Sequence, residues 1–207
     1  MTVRIKICGI TTEAGIDAAI AAHADWIGLN FFPASPRHVT PARAAELAAR
    51  PGVPPTVGLF VNPTDAEIEA VLAAVPLDIL QLYTDAPRAA AIRVRFARPV
   101  WRAIGVASHA DLPTEAEPVD GWVIEAKPPP GATRPGGNAA TFDWTILAGW
   151  RAPLPWLLAG GLSPGNVAAA IRATHAPAVD VASGVEREKG IKDPALVAAF
   201  AAAARAA

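Results

Sequence analysis

A strand–helix–strand unit can be read directly from residues 155–186, PWLLAGGLSPGNVAAAIRATHAPAVDVASGVE. Its apolar runs at 155–159 and 178–182 have the length and composition of buried strands. The segment between them opens with a glycine turn and continues with the alanine-rich pattern of a helix. Two strands joined through a helix pair in parallel, and the crossover is right-handed. The unit therefore predicts an α/β protein with a parallel sheet.

The same pattern repeats along the rest of the chain. Eight apolar runs predict strands at residues 2–7, 25–31, 56–61, 77–82, 99–104, 120–125, 155–159 and 178–182. Eight stretches with helical spacing predict helices near 12–22, 40–50, 64–75, 86–96, 108–117, 143–149, 164–173 and 194–206. Such units form either an open sheet or a closed barrel, and their number favours a small (β/α)8 TIM barrel. Because no domain boundary is evident, we expect residues 1–207 to form a single domain.

Local signals mark several helix starts and one long loop. Three capping residues each precede a proline: Thr40, Ser163 and Asp193. A capping side chain followed by proline predicts the first helical position. Thr64 and Glu67 have the spacing of a capping box. Residues 125–141 are rich in proline and glycine, and a loop of that length in a compact domain is usually functional.

The composition excludes several classes of function. With 52% hydrophobic and 18% charged residues, the chain is neither disordered nor of low complexity. Its 18 basic and 19 acidic residues nearly cancel, so no general field favours nucleic acid or an anionic membrane. Residues 152–171 carry no formal charge, but prolines and glycines interrupt them too often for a membrane span. A small-molecule partner is therefore expected.

The cysteine and histidine content indicates the compartment and argues against a metal site. Cys8 is the single cysteine and cannot close an intramolecular disulfide, and residues 1–24 lack the apolar block of a signal peptide. We therefore expect a cytoplasmic protein. No metal-ligand spacing is formed by the four histidines, which we expect at the surface: His23, His38, His109 and His175.

Polar side chains are expected to converge inside the barrel. In the first strand Val3, Ile5 and Ile7 form an apolar outward face. The same alternation predicts these inward-facing side chains: Arg4, Lys6, Cys8, Asn30, Gln81, Arg102, Glu125 and Asp180. The charged members carry a surplus of one positive charge. Because a buried ion is costly unless it is paired or bound to a ligand, the set indicates either a structural ion-pair network or a ligand site.

The two strongest local signals follow the seventh and eighth strands. Gly160 and Gly161 come after the seventh, and Ser183 and Gly184 after the eighth. Glycines let backbone N–H groups approach an anion closely, and helix N-termini favour negative charge. A single Gly-Gly pair is often only a tight turn. Two such turns in the loops where TIM barrels commonly bind phosphate predict a phosphate site.

Several motifs occur in an order and spacing that are specific together. They are KICGIT (6–11), NFFPASPR (30–37), GLFVN (58–62), GG (136–137) with FDW (142–144), LAGGLSPGNV (158–167), VDVASGVE (179–186) and GIKD (190–193). Through them the chain resembles the phosphoribosylanthranilate isomerases over nearly its whole length. The resemblance implies the Amadori rearrangement of N-(5-phosphoribosyl)anthranilate to 1-(2-carboxyphenylamino)-1-deoxyribulose 5-phosphate in tryptophan biosynthesis, with no cofactor and no metal.

The resemblance also implies roles for individual side chains. The general base of the family is the cysteine of the first motif, here Cys8, which removes the C2′ proton of the sugar. Its general acid is an aspartate at the end of the sixth strand, where this chain has Glu125. Lys6 lies on the same face as Cys8, and a nearby cation is expected to raise the ionised fraction of the thiol.

The remaining candidate residues bind the substrate. Arg37 would hold the anthranilate carboxylate, for which a guanidinium fork is suited. Asp180 would orient the sugar or else form an ion pair inside the barrel. The phosphate would be bound by backbone N–H groups around Gly160, Gly161, Ser183 and Gly184.

This chain departs from the family pattern at several positions. At Glu125 the extra methylene would move the carboxyl by about 1.5 Å, and placement errors of about 1 Å can lower a rate about 100-fold. Glu125 could instead pair with Lys6 or Lys127 at the rim. Tyr83 stands where the family usually has histidine. After Gly136-Gly137 the sequence reads Asn138-Ala139, which departs from the usual glycine-rich turn.

Two alternative functions remain open from the sequence. The first is a barrel that retains phosphosugar and carboxylate binding but has weak or lost isomerase chemistry, a reading that Glu125 motivates. The second is an isomerase of the related histidine-pathway substrate. That reaction generally uses aspartates at the ends of strands one and five, where this chain offers Cys8 and Arg102. The chain could be a monomer or a homodimer.

Overall fold

A computed structural model of the chain describes residues 2–128, 131 and 141–207. Eight parallel strands form a closed barrel in the order in which they occur in the sequence. They are β1 (Arg4–Cys8), β2 (Trp26–Asn30), β3 (Thr56–Val61), β4 (Ile79–Tyr83), β5 (Val100–Val106), β6 (Gly121–Ala126), β7 (Trp156–Leu158) and β8 (Ala178–Val181). The predicted TIM barrel is confirmed, and the strand predicted at 56–61 coincides with β3.

Within the described residues, six α-helices pack around the barrel. They are α1 (Glu13–Ala21), α2 (Pro41–Ala48), α3 (Asp65–Ala74), α4 (Ala86–Phe96), α5 (Val167–Thr174) and α6 (Pro194–Arg205). The predictions of helices near 108–117 and 143–149 are wrong, because those segments contain only the short 3-10 helices His109–Asp111 and Trp144–Leu147. Pro113 would remove a backbone donor from the first helix, and Gly149, with φ +76°, ends the second segment.

The helix starts follow the predicted capping pattern with one exception. The side chains of Thr40, Thr64 and Asp193 accept hydrogen bonds from the first turns of α2, α3 and α6. The helix start predicted at Ser163 is wrong, because α5 begins at Val167. The Asn166 side chain accepts a hydrogen bond from the Ser163 amide (2.7 Å) and donates one to the Gly161 carbonyl (3.0 Å). These bonds close a turn between the glycine pair and the helix.

The barrel interior is apolar at the end where the strands begin. Trp26 and Trp101 meet edge to face there, with ring centroids 5.0 Å apart. The guanidinium carbon of Arg4 lies 4.6 Å from the centre of the Trp26 ring, a cation–π contact. Val123 and Leu157 belong to the same buried interior cluster. This packing closes the N-terminal end, so a ligand site is confined to the C-terminal rim, where the strands end.

The prediction that Arg102 faces inward is wrong. Its neighbours Trp101 and Ala103 belong to the interior cluster, so Arg102 points to the outside of the barrel. There its Nε donates to Glu117 (2.6 Å), and Nη2 donates to the second oxygen of the same carboxylate. Glu117 also accepts a hydrogen bond from Trp122 (3.2 Å). Because Arg102 is paired outside, it contributes no charge to the barrel interior.

A second, smaller sheet follows the last barrel strand. It is an antiparallel hairpin of β9 (Glu186–Glu188) and β10 (Ile191–Lys192), which the sequence analysis does not predict. The hairpin begins directly after a 3-10 turn, Ser183–Val185, at the C-terminal rim. No α-helix among the described residues is long and apolar enough to cross a membrane.

Candidate active site

A thiol and an ion pair lie side by side at the C-terminal end of the barrel interior. Cys8 ends β1 and is 5% exposed. Lys6, two residues earlier on the same face, is fully buried, and its Nζ lies 3.0 Å from Oδ1 of Asp180 on β8. Lys6 and Asp180 are register partners on neighbouring strands. The ammonium charge beside the thiol is therefore balanced by one carboxylate.

The surroundings raise the pKa of the Cys8 thiol. Burial is the main cause, the Lys6 ammonium acts in the opposite direction, Asp180 raises the pKa further, and Lys192 lowers it. Lys6 thus favours the thiolate as expected, but burial outweighs it. The effect of Lys6 on the thiol therefore has the expected direction, while the net shift of the Cys8 pKa is upward because of burial.

Glu125 occupies the next rim position of interest, near the end of β6, and is 5% exposed. It forms a hydrogen bond with Tyr83, the last residue of β4. Burial raises the pKa of the Tyr83 phenol well above its usual value, and the charges of Glu125, Cys8 and Asp180 raise it further. Charges on β1, β6 and β8 therefore all raise the pKa of one phenol, as expected if the three groups lie around the same space.

The cations considered as rim partners of Glu125 contact other carboxylates. Lys6 pairs with Asp180, while Lys127 is 60% exposed and lies 4.0 Å from Asp111. Behind Tyr83, the Gln81 side-chain amide lies 3.5 Å from the phenol oxygen. The fully buried carbonyl oxygen of that amide has no hydrogen-bond partner among the described residues. The Gln81 carbonyl oxygen could therefore accept a hydrogen bond from a ligand.

Arg37 lies at the same rim, in the loop after β2, and its side chain is 7% exposed. Its Nε and Nη2 donate to the two carboxylate oxygens of Glu186 at 2.6 and 2.9 Å. Lys192 donates to Oε1 of Glu186 (2.8 Å) and to the carbonyl of Ala182 (2.9 Å). Burial alone would raise the pKa of Glu186, but Arg37 and Lys192 hold it below its usual value. Three buried charged groups thus join the loop after β2 to the β9–β10 hairpin.

The sequence alone indicates no role for Glu186 or Lys192, although they lie in the motifs VDVASGVE and GIKD. The available signal was a charged residue two positions after Gly184 and a lysine six residues later. Arg37 and Glu186 are 149 positions apart. Spacing along the chain cannot predict a contact over that distance.

The two glycine turns meet at the rim as the barrel topology requires. Gly160 and Gly161 both have positive φ, +89° and +63°, which other residues adopt at a cost. Their amides donate no backbone hydrogen bond to another described residue. A Cβ on Gly184 would lie 1.9 Å from the carbonyl oxygen of Leu162, so the second turn packs directly on the first. The turns together offer backbone N–H groups that could bind an anion.

Other candidate positions lie outside this cluster. Asn30 braces the loop that carries Arg37: its Oδ1 accepts from the Phe32 amide (2.9 Å), and its Nδ2 donates to Ser35 (3.2 Å). The glycines 136–137 and the departures Asn138 and Ala139 lie outside the described residues. All four histidines are exposed as predicted. Among the residues with described positions, no group of three or more histidine, cysteine, aspartate or glutamate side chains could hold a metal ion.

Comparisons with known proteins agree on one family. The family model described as "N-(5'phosphoribosyl)anthranilate (PRA) isomerase" matches residues 5–203. The N-(5'-phosphoribosyl)anthranilate isomerase of Acidiphilium cryptum is 56% identical over 204 residues, covering 99% of each chain. The crystal structure of TrpF from Jonesia denitrificans is 37% identical with a TM-score of 0.82, covering 98% of this chain and 97% of that one.

A further solved structure contains a ligand. It is a phosphoribosyl anthranilate isomerase in complex with reduced 1-(o-carboxyphenylamino)-1-deoxyribulose 5-phosphate. It is 30% identical to this chain with a TM-score of 0.82, and the match covers 99% of this chain and all of that one. The similarity therefore extends along the entire barrel.

Proposed function

The chain belongs to the N-(5'-phosphoribosyl)anthranilate isomerase family, and from that premise we propose that Cys8 is its general base and Glu125 its general acid. The protein is an isomerase of tryptophan biosynthesis that acts on a small phosphoribosyl substrate. One observation carries the assignment of the two residues. Cys8, Glu125 and Asp180 are all buried and lie near the C-terminal ends of β1, β6 and β8, and Glu125 interacts with Tyr83 at the end of β4, which supports a single site.

The chemistry needs only an acid and a base on opposite sides of one sugar. Glu125 donates its proton to the furanose ring oxygen, the bond from that oxygen to C1′ breaks, and the anthranilate nitrogen supplies electrons to form an iminium ion. The Cys8 thiolate then removes the C2′ proton, and the resulting enolamine tautomerises to the ketone. No atom is gained or lost, so the reaction is an isomerisation, and this mechanism calls for no cofactor.

Substrate binding is assigned to the groups around this pair. Arg37 binds the anthranilate carboxylate, and the amides of Gly160, Gly161, Ser183 and Gly184 bind the phosphate. Asp180 fixes Lys6, which lies 3.0 Å away, and orients the sugar between Cys8 and Glu125. Lys6 stabilises the thiolate once it forms. The reaction is proposed to take place in the cytoplasm within one barrel domain.

The test compares two substitutions at Glu125. Turnover of freshly prepared N-(5-phosphoribosyl)anthranilate is followed by the loss of its fluorescence. Glu125→Asp keeps a carboxyl and should retain or raise the rate, whereas Glu125→Gln cannot donate a proton and should lower kcat about 100-fold or more. Equal rates for the two variants would place the acid elsewhere.

The wild-type protein provides the second half of that test. It should turn over substrate well above the rate in buffer. If it does not, yet binds reduced 1-(o-carboxyphenylamino)-1-deoxyribulose 5-phosphate, the barrel is a binding module that has lost its chemistry. The replacement of aspartate by Glu125 would then be the first position to revert.

A further inference from the structure

We propose that Glu186 and Lys192 form a clamp that fixes the Arg37 guanidinium group so that one of its edges faces the anthranilate carboxylate. Glu186 is then a positioning residue that sets the preference for a carboxylated substrate, although it does not touch the substrate itself. The inference rests on the proposed function, in which Arg37 binds that carboxylate.

One edge of the Arg37 guanidinium group is hydrogen-bonded to Glu186, and the other edge can bind a ligand. Glu186 accepts from Nε (2.6 Å) and Nη2 (2.9 Å), which together form the side-on edge. The end-on edge, formed by Nη1 and the second Nη2 hydrogen, makes no hydrogen bond to another residue that the structure describes. A guanidinium group has five N–H donors, so it can bind two carboxylates in bidentate fashion at once. Glu186 therefore leaves room for a second carboxylate.

The charges of the clamp also favour an anion. Arg37, Glu186 and Lys192 are 7%, 5% and 0% exposed at their side chains, and together they carry one net positive charge. The neighbouring Lys6–Asp180 pair is neutral and does not compensate for it. A buried surplus charge is costly unless a ligand balances it. One carboxylate is the charge that completes the cluster.

The backbone holds the clamp in a fixed position. Gly190, in the turn between β9 and β10, has φ +86°, and a Cβ there would lie 2.8 Å from the carbonyl oxygen of Pro36. The Thr11 hydroxyl donates to the Gly190 carbonyl at 2.7 Å. The hairpin is thus packed against the residue that precedes Arg37. Because folding has already ordered the guanidinium group, little conformational entropy remains to be lost when substrate binds.

The experiment compares two ligands that differ only by the carboxyl group. They are reduced 1-(o-carboxyphenylamino)-1-deoxyribulose 5-phosphate and its phenylamino counterpart without the carboxyl, each titrated calorimetrically. Glu186→Gln raises the net charge of the cluster to two positive charges, which by itself would strengthen binding of the carboxylated ligand. If positioning of Arg37 outweighs this charge effect, the variant should weaken that ligand about tenfold and change binding of the other ligand by less than about twofold. In kinetics it should raise KM more than it lowers kcat.

A matched control and a double variant separate positioning from a structural role. Glu69→Gln removes a similar contact to Arg95, but on the exposed surface of α3, and should change neither affinity. Arg37→Met should weaken the carboxylated ligand by itself. If Glu186 acts through Arg37, adding Glu186→Gln to Arg37→Met should have no further effect on that affinity.

Three outcomes for the Glu186 variants would overturn the clamp. They are equal weakening of both ligands by Glu186→Gln, no weakening of either, and full additivity with Arg37→Met. If Arg37→Met leaves the carboxylated ligand unaffected, the proposed role of Arg37 fails and the clamp fails with it. If Arg37→Met weakens that ligand and Glu186→Gln does not, the clamp alone is wrong. Should Glu186→Gln not fold, Glu186→Asp must produce the same ligand-selective loss, because its shorter side chain draws the guanidinium group away.

Discussion

The two rims of the barrel use carboxylates in opposite ways. At the N-terminal rim Asp25, Asp78 and Asp120 precede β2, β4 and β6, and each accepts the backbone N–H of a residue on the preceding strand. The acceptor distances are 2.8 Å from Ile5, 2.7 Å from Thr56 and 2.9 Å from Val100. Asp120 also pairs with Arg93 at the surface. At the C-terminal rim Asp180 and Glu186 bind only lysine and arginine side chains among the hydrogen bonds of the described residues.

This difference in partners indicates that the N-terminal carboxylates stabilise the fold, whereas the C-terminal carboxylates serve the reaction. An aspartate that accepts a backbone N–H satisfies a strand end that would otherwise lack a partner, and one occurs before three of the four even-numbered strands. A carboxylate paired with a buried cation instead fixes a charged group that can bind a ligand. Substitutions at the N-terminal rim should therefore change the free energy of unfolding, and substitutions at the C-terminal rim should change the kinetics.

The largest effect is expected at the C-terminal rim, from Cys8→Ala. Loss of the general base should lower kcat about 100-fold or more, while the affinity for the phosphate-bearing product analogue stays nearly unchanged. The melting temperature should move little, because one small buried side chain replaces another. A rate within about threefold of wild type would remove Cys8 from the mechanism.

Asp180→Asn should have the next largest effect and can be recognised from its pH profile. In the wild-type protein the pKa of Cys8 is raised, so kcat/KM should increase with pH through neutrality as the thiolate forms. Asp180 is one cause of that rise, whereas Lys6 and Lys192 oppose it. Removing the Asp180 charge lowers the pKa of Cys8, because Lys6 then stabilises the thiolate without competition.

The rising limb of the profile should therefore move to lower pH in Asp180→Asn. The maximal rate should also fall, by about tenfold, because the residue is proposed to orient the sugar. Stopped assays at constant ionic strength would give both quantities. A limb that stays in place or moves to higher pH contradicts the proposed coupling between Asp180 and the thiol.

Asp78→Ala tests the N-terminal rim and should affect stability alone. It removes the acceptor of the Thr56 amide (2.7 Å) and hydroxyl (3.0 Å). Because Asp78 is exposed and water can replace it in part, the free energy of unfolding should fall by about 1 kcal/mol. Urea denaturation measures the loss. A change in kcat beyond about twofold would show that the two rims are not separable in this way.

Local patterns predicted the barrel because each strand–helix unit carries its own periodicity and caps. Thr40, Thr64 and Asp193 cap the helices that they precede, as their local sequences indicate. Two helix predictions failed because a neighbouring residue favoured a different local structure. Pro113 broke a helix that the composition alone favoured, and Asn166 displaced Ser163 as the residue before α5.

The site was predicted only in part, because its contacts join distant segments. Alternation along a single strand placed Lys6 and Cys8 correctly but failed for Arg102, which Glu117 pairs outside the barrel. The partners of Arg37 come from the β9–β10 hairpin, which the sequence did not indicate. The interaction of Tyr83 with Glu125 joins β4 to β6 across β5, and it depends on strand order and register that local sequence does not give.

Tyr83→Phe should have the smallest effect and tests whether the C-terminal rim acts as a unit. As Glu125 releases its proton, negative charge develops on the carboxyl, and the Tyr83 hydroxyl is placed to stabilise it by a hydrogen bond. Removing the hydroxyl should lower kcat about threefold, the equivalent of one net hydrogen bond of about 0.7 kcal/mol. If Tyr83 acts through the acid, the substitution should have no effect in the Glu125→Gln background. An equal loss in both backgrounds would mean that the phenol contributes packing alone, and that Glu125 works without help from β4.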